Sequence, residues 1–187
     1  MQKRLVSVGI VGAGYWGRNH VRTFASLPGS TLSWVCDLDG DRLAAASRVA
    51  PQARATRDLG EMLSDRSVDA IVIATQSRLH AEHARLCLEA GKHVLVEKPM
   101  ALQVGDAVAI DALSRDRGLV LMVGHLMVYH PAVGMLRDMV ERGDLGKVHY
   151  LYSQRVNLGT ARSDENALWS FGPHDLSIIH EIFPEAR

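Results

Sequence analysis

The stretch that decides the fold is Val8-Gly9-Ile10-Val11-Gly12-Ala13-Gly14-Tyr15-Trp16-Gly17-Arg18-Asn19-His20. An apolar run from Leu5 to Val11 leads into Gly12-Ala13-Gly14-Tyr15-Trp16-Gly17, and a helix-compatible segment follows. This is the strand, glycine turn and helix context that a G-x-G-x-x-G dinucleotide site requires. Gly12 permits the tight turn, Gly14 lets backbone approach a pyrophosphate, and Gly17 lets the helix pack close to the strand. The N–H groups that open the helix, with Tyr15 and Trp16 beside them, then face the phosphates, and the helix dipole favours their charge. A structural glycine turn can look the same. The next apolar run, Thr31 to Cys36, argues against that simpler reading because it ends in Asp37, near the spacing at which an acidic side chain meets the adenosine ribose.

Outward from this stretch, strands and helices alternate. Strands are expected at Thr31–Cys36, Ala53–Thr56, Asp69–Thr75, His93–Val96 and Leu119–Val123. Helices are expected at Tyr15–Leu27, from Asp39-Gly40-Asp41 to Ala50, from Asp58 to Leu63, at Leu79–Ala90 and at Val104–Arg117. Such alternation predicts an α/β fold, a Rossmann-type doubly wound parallel sheet. Gly12, Asp37, Thr75 and Glu97-Lys98 then all lie at carboxyl ends of strands, the edge at which such sheets bind ligands. The pattern changes after Gly124, so residues 1–124 read as the dinucleotide-binding domain and 125–187 as the start of a second α/β domain, apparently incomplete. In that second part a helix is expected from His130-Pro131 to Arg142. A long alternating strand is expected over Gly146–Val156, with Val148, Tyr150 and Tyr152 on one face. Residues 157–168 read as loop, and a helix is expected at Asp175–Phe183 with Trp169 to His174 leading into it.

Composition narrows the partners. Acidic and basic residues balance at 21 each, which gives no pull toward nucleic acid or an anionic membrane. No apolar run approaches the roughly 20 residues of a membrane span, and the short basic N-terminus reads as the approach to a first strand rather than a signal peptide. Cys36 and Cys87 read as buried thiols of a reducing compartment, which makes the expected location cytoplasmic. His80 and His83 lie three apart at a helix start, but no thiolate or carboxylate cluster accompanies them, so no metal site is expected.

Ala90-Gly91-Lys92-His93-Val94-Leu95-Val96-Glu97-Lys98-Pro99, taken with the N-terminal glycine turn and with Pro173-His174-Asp175, carries a resemblance over nearly the whole chain. Gly124-His125-Leu126 and Tyr129-His130-Pro131 match as well. The sequence resembles the Gfo/Idh/MocA family of NAD(P)-dependent oxidoreductases, and specifically the N-terminal part of one. The resemblance implies a dehydrogenase acting on a hydroxyl of a sugar, cyclitol or nucleotide sugar, with a homo-oligomer expected for a full-length form. It implies that Lys98 lies beside the nicotinamide and binds the substrate hydroxyl, that Glu97 binds near the nicotinamide ribose, and that Pro99 follows a cis peptide. It makes His174 the catalytic histidine. His174 is expected just before a helix, where the dipole would favour the neutral ring. Thr75, Gln76 and His80 are expected on the cofactor rim, with Gln76 standing where the family often has proline. Ser170 stands where the family usually has aspartate, four residues before His174; Asp175 is the nearest carboxylate. His125 and Tyr129 either reach substrate or pack the domain junction. Asp37, with no basic residue after it until Arg42, predicts NAD in preference to NADP. Two rival readings stay open: a non-catalytic nucleotide-binding module of the same fold, and an inactive truncated fragment.

Overall fold

In the computed structural model, which describes residues 4–156 and 166–185, six parallel strands form one sheet. They are β1 (Val6–Val11), β2 (Ser30–Cys36), β3 (Arg54–Thr56), β4 (Ala70–Ile73), β5 (His93–Val96) and β6 (Leu121–Val123). Their order across the sheet is β3-β2-β1-β4-β5-β6. Chain order reverses between β1 and β4, and this switch point opens the crevice in which doubly wound sheets bind ligands.

Five helices connect the strands: α1 (Gly17–Ser26), α2 (Gly40–Val49), α3 (Leu59–Ser64), α4 (His80–Glu89) and α5 (Val104–Asp116). Alternate residues of the strands feed two separate cores. Val8, Ile10, Leu32, Val35 and Val72 pack with Val21 of α1 and with Leu43 and Ala46 of α2. Val11, Ile71, Ile73, Val94 and Val96 pack with Met62 of α3, with Ala84, Cys87 and Leu88 of α4, and with Ile110 of α5. Both faces of the central strands are therefore covered, which is why β1 and β4 read as nearly unbroken apolar runs. Local signals set the helix ends. Asp39 caps α2 by accepting from the amides of Asp41 (2.9 Å) and Arg42 (3.3 Å), and Asp58 caps α3 by accepting from Gly60 N at 2.8 Å.

The first helix starts at Gly17 rather than at Tyr15, because Tyr15 and Trp16 belong to the turn. The other elements of this part fall within about two residues of their expected bounds, the spread common at strand and helix ends.

The chain divides into two compact units, Met1–Gly124 and His125–Arg187. The second holds α6 (Pro131–Glu141) and α7 (Ala167–Ile182), with a 3-10 turn at Leu126–Tyr129. Arg137 of α6 donates to Glu181 of α7 at 2.7 Å. Two expectations fail here. Residues 146–156 form no strand; a lone strand has no neighbour to take its backbone donors and acceptors. The helix expected from Asp175 begins at Ala167 instead, capped by Asn166, which accepts from Trp169 N at 3.0 Å. Pro173 sits inside it. Of the loop expected over 157–168, residues 157–165 lie outside the described residues, and its end is already helix.

Candidate active site

The site begins with the turn after β1. Gly12 has φ +90°, in the region that side chains disfavour, and a Cβ there would lie 2.6 Å from the Ala74 carbonyl. A Cβ on Gly17 would overlap the Gly12 carbonyl oxygen. These two glycines are required by close backbone packing. Gly14 is different: a Cβ on it would meet only the tip of Arg42, at 3.6 Å. No protein backbone demands glycine at that position, and the space beside it suits a ligand's close approach. Trp16 gives α1 no side-chain cap, and no acidic residue occupies the first turn, so the helix start offers its amides to an anion. Tyr15 is exposed, and the Arg18 guanidinium lies 4.8 Å from its ring centre.

Asp37, immediately after β2, closes the turn from the other side. Its Oδ2 accepts from Ala13 N at 2.7 Å and its Oδ1 from Asp39 N at 2.9 Å. Arg42 Nη1 stands 3.7 Å from Asp37 Oδ2, and Arg42 Nε stands 3.3 Å from Asp39 Oδ2. Sequence reading set Arg42 aside as a residue of the next helix. Its side chain reaches back, so the rim carries a cation next to the acid. A groove of about 640 Å³ between α1 and α2 is lined by Gly14, Tyr15, Arg18, Arg22 and Arg42 among others.

At the carboxyl end of β4, Thr75 and Gln76 lead into a 3-10 turn, Ser77–Leu79. Gln76 is exposed and its Oε1 accepts from Arg78 Nε at 2.9 Å. His80 does not line the rim as expected. It is 1% exposed, with Nδ1 2.7 Å from the Pro99 carbonyl oxygen and Nε2 3.0 Å from that of Thr75. The ring is buried between these two carbonyls, and a neutral ring donates to one of them. His83 Nδ1 lies 3.2 Å from Thr75 Oγ1, and burial holds this ring below the ordinary histidine range. Among the described residues no group of three or more His, Cys, Asp or Glu side chains is placed to hold a metal ion. Burial also raises both thiols, Cys36 to about 11 and Cys87 to about 12, so neither is a nucleophile near neutral pH.

Glu97, Lys98 and Pro99 follow β5, and the Lys98–Pro99 peptide is cis. Glu97 is buried, accepts at Oε1 from His20 Nε2 at 2.8 Å, and accepts at Oε2 from Lys98 N at 3.3 Å. Sequence reading missed His20. Its signal was its place three residues after Gly17, one helical turn along the same face. The parallel sheet thus brings Gly12, Asp37, Thr75 and Glu97-Lys98 to one edge.

The remaining candidates belong to the second unit. His125 opens the 3-10 turn that ends at Tyr129, which is exposed. His174 lies in the second turn of α7, not before a helix, and the dipole's influence is confined to the first turn. The dipole argument for a neutral ring therefore fails. Ser170 is one helical turn upstream on the same helix. Asp175 is engaged by Arg155 Nε at 2.8 Å and Ser153 Oγ at 3.0 Å, both donating to Oδ1.

Comparison with known proteins gives these features a context. The chain is 33% identical over 183 residues to inositol 2-dehydrogenase 2 of Paenarthrobacter aurescens, covering 93% of this chain and 54% of the relative. It is 32% identical over 173 residues to UDP-N-acetylglucosamine 3-dehydrogenase of Acidithiobacillus ferrooxidans, covering 91% of this chain and 52% of that one. The crystal structure of GenD2 from gentamicin A biosynthesis, in complex with NAD, superposes with a TM-score of 0.85 at 28% identity, covering 96% of this chain and 54% of that chain. The chain spans about half the length of the curated relatives it matches. The family model described as the oxidoreductase family with an NAD-binding Rossmann fold matches residues 6–125, and the chain accordingly belongs to the Gfo/Idh/MocA family.

Proposed function

We propose that this chain binds NAD across the carboxyl edge of its sheet and serves a dehydrogenase acting on a hydroxyl of a sugar, cyclitol or nucleotide sugar. The observation that carries the reading is Lys98, two residues past the end of β5 on the edge that holds the glycine turn. The chain's own residues fit the cofactor. Gly14 leaves room for a pyrophosphate, the uncapped start of α1 offers amides to it, and Asp37 keeps acceptor capacity for ribose hydroxyls. When bound, the nicotinamide supplies the hydride acceptor. Lys98 donates to the substrate oxygen and stabilises the alkoxide that develops as the hydroxyl proton departs. His174 takes that proton as general base. The relatives' activities on inositol and on UDP-N-acetylglucosamine support the substrate class.

NAD is preferred over NADP in this reading, because the Asp37 carboxylate would face a 2′-phosphate. Calorimetric titration with both cofactors tests it, followed by NAD reduction with panels of cyclitols, hexoses and nucleotide sugars. Equal affinity for NADP would end the preference, and failure to bind either cofactor would end the whole proposal. A specific observation favours a second reading, a nucleotide-binding module without turnover. Ser170 cannot hold a charge beside His174, and Asp175 is committed to Arg155 and Ser153. Bound NAD that no member of the panels reduces would favour that module.

A further inference from the structure

Lys98 has an unusual pair of chain neighbours. The side chain of Glu97 is held from α1 by His20, at 2.8 Å. The carbonyl of Pro99 is held from α4 by His80, at 2.7 Å. These two histidines come from different helices, on opposite faces of the sheet, and grip the residues on either side of the lysine. The surrounding structure stiffens each grip. Glu97 N donates to Ile73 O at 2.9 Å, and Gly124 closes around the carboxylate so tightly that a Cβ there would lie 3.2 Å from Oε2. His80 is wedged between the Pro99 and Thr75 carbonyls, and Thr75 is met in turn by His83. Both ring nitrogens of His80 lie against carbonyls, and Nε2 of His20 is engaged by Glu97.

We propose that His20 and His80 are positioning residues for Lys98, His20 acting through the Glu97 carboxylate and His80 through the Pro99 carbonyl. The catalytic meaning of this arrangement rests on the reading of Lys98 given above, whereas the mechanical claim stands apart from it. Because α1 begins at the glycine turn, His20 also links the phosphate-facing element to the lysine. A positional error of about 1 Å at a reacting group can cost on the order of 100-fold in rate, which gives such bracing a function beyond packing.

The chain has four lysines, Lys3, Lys92, Lys98 and Lys147, so their side chains can be followed individually. The 187-residue protein is reductively methylated with 13C, the Lys98 signal is assigned with Lys98→Arg, and spectra are compared for the parent, His20→Leu, His80→Leu, His20→Gln and His80→Gln. The expected result is a displaced and broadened Lys98 signal in both leucine variants, with the Lys3 and Lys147 signals unmoved. His20→Gln, which can still donate to Glu97, should restore the parent position. A merely structural role predicts lower melting temperatures with an unmoved Lys98 signal in the folded fraction, and that result overturns the proposal. If the leucine variants do not fold, His20→Asn, whose amide is too short to reach Glu97 from α1, takes the place of His20→Leu with the same expected displacement, and His80→Gln decides for His80. His80→Gln reaches one of the two carbonyls, so an intermediate Lys98 position supports the proposal and an unmoved one overturns it. NAD added to the parent separates the two levels: a Lys98 signal that ignores saturating NAD counts against the cofactor reading, while the variant comparison still reads the bracing.

Discussion

Asp37 holds its place by two hydrogen bonds that the sequence does not announce. Its oxygens take the amides of Ala13 and Asp39, so it ties the glycine turn to the end of β2 before any ligand arrives. Asp37→Ala should therefore act twice. Hydrogen bonds to a charged group contribute about 1.5–3 kcal/mol each, so NAD affinity should fall roughly tenfold or more, and some fold stability should go with it. The same change removes the repelling charge and leaves Arg42 in place, which should move the balance toward NADP. Paired calorimetric titrations check this, and an unchanged NAD to NADP ratio would count against Asp37 as the ribose reader. His83 gives a pH effect of predictable sign. Burial is the largest cause holding its pKa below 6.5, opposed by Glu82 and aided by His80. The unfolded chain then binds more protons as pH falls, so this contribution to stability is present above about pH 6.5 and is lost on acidification toward the lower folded value. His83→Gln should flatten the midpoint of the first unit's urea transition against pH in that window; an identical slope would refute the assignment. Asp37 was legible in the sequence because it ends an apolar run. The pairings of His20 with Glu97 and of Arg42 with Asp37 were not, because the fold rather than spacing brings those side chains together.

The turn between β1 and α1 allows its glycines to be separated by role. At Gly17 an added Cβ meets the Gly12 carbonyl, a backbone atom that cannot swing away. Gly17→Ala should cost about 1–3 kcal/mol as α1 is pushed off the strand. At Gly14 the added Cβ meets only the end of the Arg42 side chain, at an ordinary 3.6 Å. Gly14→Ala should melt within roughly 0.5 kcal/mol of the parent, yet bind NAD at least about tenfold more weakly, a loss of about 1.4 kcal/mol. Thermal melts and calorimetry on the two variants check the contrast; parent-like NAD binding by Gly14→Ala would remove the pyrophosphate from that position. The alternation of elements was legible because β1, β4 and β5 are apolar on both faces and punctuated by glycine and aspartate signals. The misreadings lie in the second unit. The alternation over 146–156 satisfies the period of a strand, but the period supplies no partner. The helix was expected from Asp175 with Trp169 to His174 leading into it, whereas α7 already runs from Ala167 and carries Pro173 in its interior.

The two units differ in what holds them. The first has two apolar cores packed on opposite faces of the sheet, with Ile10, Leu32, Ile71 and Ile73 wholly buried. In the second, Val133 and Ile182 are the apolar residues buried below a tenth exposure among the described residues, while Tyr150, Tyr152, Val156, Leu168 and Leu176 are each more than 60% exposed. Apolar burial contributes about 25 cal/mol per Å² removed from water, so the second unit carries far less of this term. It should open first. Hydrogen exchange read by mass spectrometry should find the amides of β1, β4 and β5 slowest and those of α6 and α7 fast, with two transitions rather than one in urea. Ligand adds a direction. A cofactor held at the glycine turn stabilises the unit that binds it, by about 2.7 kcal/mol when free ligand stands at 100 times Kd. NAD should therefore raise the midpoint of the upper transition and deepen protection around Gly12–Gly17 and Asp37, leaving exchange in α6 and α7 as it was. A single urea transition in which both units move together with NAD would show that they fold as one body, and would refute the division of stability argued from their cores.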